Sequence, residues 1–343
     1  MSTLKDIGAE LGLSVATVSR ALNGFPEVSA KTRARVRDAA LRLGYQPNRI
    51  AQRLVTGRSG MVGMIVRIQP DMSADPSFFE TLTGLTAALA ARDVDLVLAV
   101  DRDDDPVAPY ARMLEKGMLD GFVLNAPVPD DPRVAFLRTR GIPFVLHGQT
   151  TGPADYPFYD IDNATVSGDQ VSLLTALGHR RLALLNGEAR LAYAAERARG
   201  FRAALASEGL APVAVIDGTE APPESFGYTE ALALLTGRHG PRPTAILCAT
   251  TLIAAGVLRA ARDLRLAVPA DLSVMAHDDG LPRNAGSTPG QTLSVTRAPL
   301  REACVPLANA LVDRVGGVPV EKLQTLVRAS VVVGDSTGPA PLL

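Results

Sequence analysis

The run Ser14-Val15-Ala16-Thr17-Val18-Ser19-Arg20 carries the side-chain types that hold phosphates and read base edges. A guanidinium such as that of Arg20 can donate two parallel hydrogen bonds to the O6/N7 pair of guanine, whereas Val15 and Ala16 offer only methyl contacts, best with thymine. The hydroxyls of Ser14, Thr17, Ser19, Ser29 and Thr32 suit phosphate oxygens, which set register without reading sequence. Each of them is equally suited to capping a helix, so the pattern, and no single residue, points to nucleic acid.

A second set of polar residues closes a series of apolar runs: Ile68-Gln69, Asp101-Arg102, Asn125, His147-Gly148-Gln149, Asn186, Asp217, Thr250-Thr251 and His277-Asp278-Asp279. Paired donors and acceptors of this kind suit a polyhydroxylated ligand, and His147, Thr250, His277 and Asp278 are taken from the set as ligand contacts. Across the set, roughly half are expected only to cap the helices that follow them. The sequence contains no G-x-S-x-G, H-E-x-x-H, G-x-x-x-x-G-K-[ST] or G-x-G-x-x-G pattern, so no catalytic residue and no cofactor is expected. His277, Asp278 and Asp279 are adjacent and lack a nucleophile, which makes a poor reaction centre. Cys248 and Cys304, the only two cysteines, are too few for a disulfide framework or structural zinc, and no metal site is expected.

Two blocks of elements must position these groups. Over residues 1–45 the pattern predicts three short helices. Thr3 caps the first, with Asp6 in capping-box position and Leu4, Ile7 and Leu11 on one face. Gly12 permits the turn. Ser14 caps the second helix, which turns Val18, Ala21 and Leu22 inward and leaves Val15, Ala16, Ser19 and Arg20 on the other side. Ser29 caps a basic third helix with Val36, Ala39, Ala40 and Leu43 as its buried stripe. Two small helices about a glycine turn, with a supporting third, form a helix-turn-helix unit. Charge agrees: residues 1–60 hold ten basic and four acidic side chains, so a head of +6 sits on a remainder of −7, as phosphate binding requires.

From residue 61 the pattern alternates. Buried-strand runs at 61–67, 94–100, 121–125 and 142–147 are separated by helical stretches, and a second series follows at 181–186, 213–217, 245–249 and 272–276, with late strands at 292–295 and 324–333. Such alternation implies parallel sheets wrapped by helices, in two similar lobes of about four strands each. A ligand then sits between the lobes, beyond the carboxyl ends of the strands. With 343 residues, 47% of them apolar and 21% charged, the chain can build two or three cores. No apolar run reaches the ~18 residues of a membrane span. The polar start, Met1-Ser2-Thr3-Leu4-Lys5-Asp6, has no apolar signal core, so a cytoplasmic location is expected, on the nucleoid when bound to DNA.

Thr3-Leu4-Lys5-Asp6-Ile7, Leu13 through Asn23, Val28-Ser29, Thr32-Arg33, Leu43-Gly44-Tyr45-Gln46-Pro47-Asn48, Ala51-Gln52-Arg53-Leu54 and Gly57-Arg58-Ser59-Gly60 closely resemble the headpiece of the lactose/galactose-repressor family. The resemblance implies that Val15, Ala16 and Arg20 read the major groove while Thr3, Leu4, Asn23, Tyr45 and Asn48 make backbone or flanking contacts. It also implies a hinge helix over 48–56, below the ~12–15 residues a helix needs to persist alone in water. Its role by resemblance is to insert a pair of Leu54 side chains between central base steps from the minor groove, with Ala51 alongside. A homodimer on a pseudo-palindromic operator follows.

Over the body the resemblance is looser and is carried by Leu177-Gly178-His179-Arg180-Arg181, Arg197-Ala198-Arg199-Gly200-Phe201, Val268 through Val274 and the Asp278-Asp279 pair. It implies that Arg197 clamps the effector and that Asp278 accepts from its hydroxyls; His179 falls in a connecting turn and is read as structural. Ser77-Phe78-Phe79 stands where the family commonly has an aromatic pair, which makes Phe78 a ring-stacking wall. Thr250-Thr251 and His147-Gly148-Gln149 depart from lactose- and purine-type sites, and together with His277-Asp278-Asp279 they look most like regulators of α-glucoside uptake.

The fold class expected is therefore α/β: a three-helix helix-turn-helix head (1–45), a hinge helix and linker (46–59), and a two-lobed periplasmic-binding-protein-like body with parallel sheets (60–338). The function implied is a ligand-responsive regulator, read as a repressor of carbohydrate uptake and catabolism genes. Its partners would be operator DNA, a mono- or disaccharide effector such as an α-glucoside, and a second copy of the chain, with no membrane. A nucleobase co-repressor and a cleft enzyme are the alternatives. Only fifteen aromatic residues and no tryptophan favour the sugar over the purine, which needs aromatic sandwiching. The segment after 333 has no apolar heptads, so a dimer is expected rather than a coiled-coil tetramer.

Overall fold

A computed structural model of the chain describes residues 2–45, 58–67, 76–101, 105–219, 223–281 and 292–342. It divides into two units, Met1–Ser59 and Gly60–Leu343.

The first unit holds α1 (Leu4–Leu11), α2 (Val15–Leu22) and α3 (Ala30–Arg42). Each begins on the expected cap. The Asp6 amide donates to Thr3 Oγ1 at 3.4 Å and the Thr3 amide donates to Asp6 Oδ2 at 2.7 Å, which closes the capping box. Ser14 Oγ accepts from the Thr17 amide at 3.1 Å, and Ser29 Oγ from the Thr32 amide at 3.2 Å. Gly12 ends α1 at φ +66°, a left-handed conformation that side chains with a Cβ rarely adopt. Ile7, Val18, Ala21, Val28, Val36, Ala39 and Ala40 form the core. Complete burial of Ile7 and Val18 contributes about 1.5–3 kcal/mol each.

The second unit contains two six-stranded sheets. The first lobe comprises β1 (Met61–Arg67), α4 (Pro76–Ala90), β2 (Asp95–Asp101), α5 (Ala108–Glu115), β3 (Gly121–Leu124), α6 (Pro132–Thr139), β4 (Phe144–His147) and β5 (Phe158–Ile161). The chain then crosses to the second lobe for α7 (Asn163–Ala176), β6 (Leu182–Glu188), α8 (Ala192–Ser207), β7 (Ala214–Gly218), α9 (Glu224–Leu235), β8 (Ala245–Cys248), α10 (Thr251–Asp263), β9 (Ser273–Asp278) and β10 (Ser294–Arg297). It returns for α11 (Leu300–Val315) and β11 (Gln324–Val327), and ends its strands in the second lobe with β12 (Ser330–Val332). The sheet orders are β11-β5-β4-β3-β1-β2 and β12-β10-β9-β8-β6-β7. Only the β10–β12 pairing is antiparallel among the described ladders. In both sheets the order reverses beside the first strand of the lobe, which is where doubly wound folds bind ligands.

Two sequence expectations change here. The lobes have six strands each, where two series of about four with late strands at 292–295 and 324–333 were expected. One addition is β5, a four-residue strand interrupted by Asp160 and preceded by Pro157, which reads as loop from composition alone. The run 324–333, expected as one strand, is two: β11 pairs with β5 in the first lobe and β12 with β10 in the second. Arg328 and Ala329 make the crossing, and Arg328 is held to Asp169 at 2.6 Å. The chain remains bonded to the second lobe beyond β12, with Ser336 Oγ donating to the Val274 carbonyl at 2.6 Å and the Ala340 amide to that of Leu177 at 2.8 Å.

Candidate nucleic-acid interface and ligand cleft

Helix α2 divides cleanly. Val18 and Ala21 have no exposed surface, while Val15 is 41% exposed and Ala16 and Arg20 also face solvent. An apolar Val15 left on the outside at the start of a helix has no packing role, which is the arrangement of a groove-reading face. Ser14 and Ser29 are both caps and exposed; Thr17 Oγ1 lies 2.8 Å from Ser14 Oγ and Thr32 Oγ1 2.9 Å from Ser29 Oγ. Each helix start therefore offers a hydroxyl pair beside backbone N–H groups, a ready site for phosphate. Asn23 Nδ2 donates to the Ser19 carbonyl at 2.9 Å, closing α2. Leu4 and Tyr45 pack partly buried against the core. Hydrogen bonds from the Thr3 backbone and hydroxyl hold the Asp6 carboxyl below its ordinary range. Asn48, Ala51 and Leu54 lie outside the described residues.

In the body, His147, Arg197 and His277 converge on Asp279. Arg197 reaches this point because α8 lies very close on α7: a Cβ on Gly200 would fall 2.1 Å from the Ala164 carbonyl oxygen. Its side chain is buried, with Nε donating to Asn163 Oδ1 at 2.9 Å and Nη1 to the Ala249 carbonyl at 2.8 Å. The Tyr193 ring, one helical turn earlier, lies 4.9 Å from the guanidinium carbon. Burial weakens the guanidinium's hold on its proton, and the charges of Asp279, Tyr193 and Asp160 oppose that.

His277, at the carboxyl end of β9, is 1% exposed, and its Nδ1 lies 3.1 Å from Thr296 Oγ1. Its Nε2 is 3.2 Å from Asp279 Oδ1 but off the line of a good hydrogen bond, so a buried ring nitrogen has no aligned partner. Burial drives His277 below the usual histidine range, helped by Arg197 and opposed by Asp279. His147, on the first lobe, is pushed by burial down to about 4, against the pull of Asp279. Burial alone would raise Asp279, but His277, Arg197 and His147 together hold it low. At neutral pH the cluster thus presents two neutral imidazoles, one carboxylate and one guanidinium. That is a mixture of donors and acceptors drawn from both lobes.

The other expected contacts lie differently. Asp278 Oδ2 accepts from Arg297 at 3.0 Å and its Oδ1 from the Gly280 amide at 2.9 Å, so its partners lie on the second lobe's own surface; the carboxylate inside the charge cluster is Asp279. Thr250 caps α10 by accepting from the Ile253 amide at 3.2 Å. Phe78 packs half-buried against the first lobe's core, with the exposed Phe79 edge-on at 5.5 Å. His179 is structural, bridging Thr244 Oγ1 at 2.9 Å, Ser273 Oγ at 3.0 Å and the Gly338 carbonyl at 3.1 Å. Sequence reasoning missed Asp160, Asn163 and Tyr193; for Tyr193 the spacing of four from Arg197 was a usable signal.

A three-helix head with an exposed reading helix, carried with a two-lobed α/β body that has a polar cleft, is the plan of a DNA-binding transcriptional regulator. Residues 3–48 match the bacterial regulatory proteins of the lacI family, and residues 171–337 match the periplasmic binding protein-like domain. The chain is 40% identical over 339 residues to the HTH-type transcriptional regulator AglR of Rhizobium meliloti (strain 1021), covering 98% of this chain and 95% of that protein. Among solved structures, the complex of transcriptional regulator CelR with cellobiose aligns with a TM-score of 0.71 at 27% identity, covering 98% of this chain and 100% of that one. The lac repressor dimer bound to operator and the anti-inducer ONPF shares the fold, with a TM-score of 0.76 at 24% identity over 98% and 99% of the two chains. The chain belongs to the lacI family of transcriptional regulators and is not an enzyme. Among the described residues no helix is long and apolar enough to cross a membrane.

Proposed function

We propose that this regulator is a sugar-responsive repressor of carbohydrate uptake and catabolism genes, acting in the cytoplasm as a homodimer on a pseudo-palindromic operator. The observation that carries the DNA-reading part is the split of α2 into a core face and an exposed Val15, Ala16 and Arg20 face. Arg20 reads guanine, Val15 and Ala16 contact base methyls, and Ser14, Thr17, Ser19, Ser29 and Thr32 hold phosphates. Leu54 supplies the minor-groove wedge.

The His147, Arg197, His277 and Asp279 cluster supports a neutral polyol as effector, with an α-glucoside as the leading class. The relative solved with cellobiose is consistent with a sugar in this kind of cleft. Because His147 and Asp279 belong to different lobes, a bound sugar favours one lobe angle over another. It changes operator affinity only by its differential affinity for the two states. The expected sign is induction, in which sugar weakens DNA binding.

A homodimer accounts for apolar surface that a monomer would leave wet. Strand β2 is an edge strand with Leu98 41% and Val100 47% exposed, and Phe79 on α4 is 49% exposed. Open apolar edges of this kind are normally covered.

Fluorescence anisotropy of the full chain on inverted-repeat duplexes tests this reading. Affinity should fall by a factor on the order of 10³ or more between 50 and 200 mM salt. Leu54→Ala should weaken specific binding far more than non-specific binding. Salt-indifferent binding, or equal losses on both kinds of duplex, would contradict it.

A further inference from the structure

His277 has one ring nitrogen that the charge cluster explains and one that it does not. Nε2 faces Asp279, whereas Nδ1 meets Thr296 Oγ1 at 3.1 Å. Thr296 lies on β10 and has no exposed surface. Gln170, buried on α7, completes the set: its Nε2 lies 3.1 Å from the same Thr296 hydroxyl and 2.9 Å from the Ala276 carbonyl. Neither Gln170 nor Thr296 belongs to the cluster itself.

The direction of every bond in this chain follows from its first member. A peptide carbonyl only accepts, so the Gln170 atom beside Ala276 is the amide nitrogen. That nitrogen only donates, so Thr296 Oγ1 accepts from it. The hydroxyl still has a proton of its own, and among the described residues its other partner is His277 Nδ1. A proton on Nδ1 would leave that buried hydroxyl hydrogen without an acceptor there, which protein interiors rarely tolerate. Burial and the neighbouring Arg197 keep the imidazole neutral, with a single ring N–H. That N–H is therefore on Nε2.

We propose that Gln170 and Thr296 are positioning residues, which fix His277 as its Nε2–H tautomer and so aim its one donor at Asp279. Nε2 lies 3.2 Å from Asp279 Oδ1, and an N–H held there favours the carboxylate as an acceptor. The opposite tautomer would set a lone pair against the carboxylate, two acceptors face to face. A ligand group that meets Asp279 is thereby selected to be a donor, as a hydroxyl is. The device is assembled from elements next to the lobe crossings: α7 begins at Asn163, just after the first, and β10 ends at Arg297, just before the second. Its bearing on ligand choice rests on the sugar-effector reading above; the tautomer itself does not.

Nitrogen NMR of the full chain, isotope-labelled at its four histidines, reads the tautomer directly, and His277→Gln identifies the His277 signals by their loss. In the parent, Nδ1 should resonate in the unprotonated range and Nε2 in the protonated range, with this tautomer in excess by roughly tenfold or more. Thr296→Val should move the Nδ1 signal further from the protonated range, as for a lone pair that has lost its donor. Thr296→Ser keeps the hydroxyl and should restore the parent position. Asp279→Asn should leave the proton on Nε2, and adding Gln170→Leu to it should draw the two ring signals together as the second tautomer gains population. A parent with Nδ1 protonated overturns the proposal without recourse to any variant. So does a Thr296→Val signal that stays in place, a Thr296→Ser signal that is not restored, a proton that switches in Asp279→Asn alone, or an added Gln170→Leu without effect. Failure of every sugar to bind would overturn the effector reading and leave the tautomer standing.

Discussion

The head and the cleft solve opposite problems. In the head, the groups assigned to function lie outside a small core on one short helix, and Val15, Ala16 and Arg20 make no core contact. In the cleft, the groups proposed to hold the effector are buried and come from β4, α8 and the end of β9, and each sets the charge state of the next. A surface reader can therefore change its side chains with little cost to folding. A buried polar cluster cannot, because each member compensates another.

That contrast is broken most severely if the cleft tolerates loss of its carboxylate. Asp279→Ala removes the negative charge shared by Arg197, His277 and His147. We expect the body to lose about 3 kcal/mol of stability, within the range for removing one partner of a buried charge pair, together with effector binding. Thermal and urea unfolding would check it, and an unchanged midpoint would show that the cluster is not coupled. Arg20→Ala should do the reverse. It should cost about 1–3 kcal/mol of operator binding and relax the preference at one base position, with circular dichroism and melting unaltered; a destabilised head would refute the division.

The third test is one of pH. His147 titrates at about 4 in the fold against an ordinary 6.5. Its neutral burial therefore adds stability above pH 6.5 that is lost as pH falls toward 4. Asp160 runs the other way: raised from 3.8 to about 7, its contribution is complete below pH 3.8 and is lost as pH rises through 7. His147→Gln should flatten the acid side of the stability curve. Asp160→Asn should be more stable than the parent at pH 8, with the difference closing by pH 4. Curves that move in parallel at all pH values would remove these two groups from the account.

Legibility follows the same division. The head could be read residue by residue, since Thr3 with Asp6, Ser14, Ser29 and Gly12 are local signals whose geometry is settled within four residues of chain. Most body strands could also be read to within two residues, because each is a continuous apolar run. What escaped reading depends on distant partners. Strand β5 is stabilised as a strand by β4 and β11 on either side, against its own composition. The division of 324–333 is decided by which sheet each half reaches. In extended chain, neighbouring side chains point to opposite sides, so choosing between Asp278 and Asp279 needed the register of β9, which an adjacent pair of identical residues does not disclose. Phe78 likewise reads as ring wall or core filler until α4 is placed on its sheet.

Occupancy of the interlobe cleft is expected to govern the reading head. It is tested most directly by titrating full-length protein onto an inverted-repeat duplex at fixed salt, with and without a saturating α-linked disaccharide, for the parent and for Asp279→Ala. Sugar should weaken operator binding by the parent at least several-fold and leave the variant's binding unmoved. Identical sugar responses in the two proteins, or none in the parent despite measured sugar binding, would contradict it.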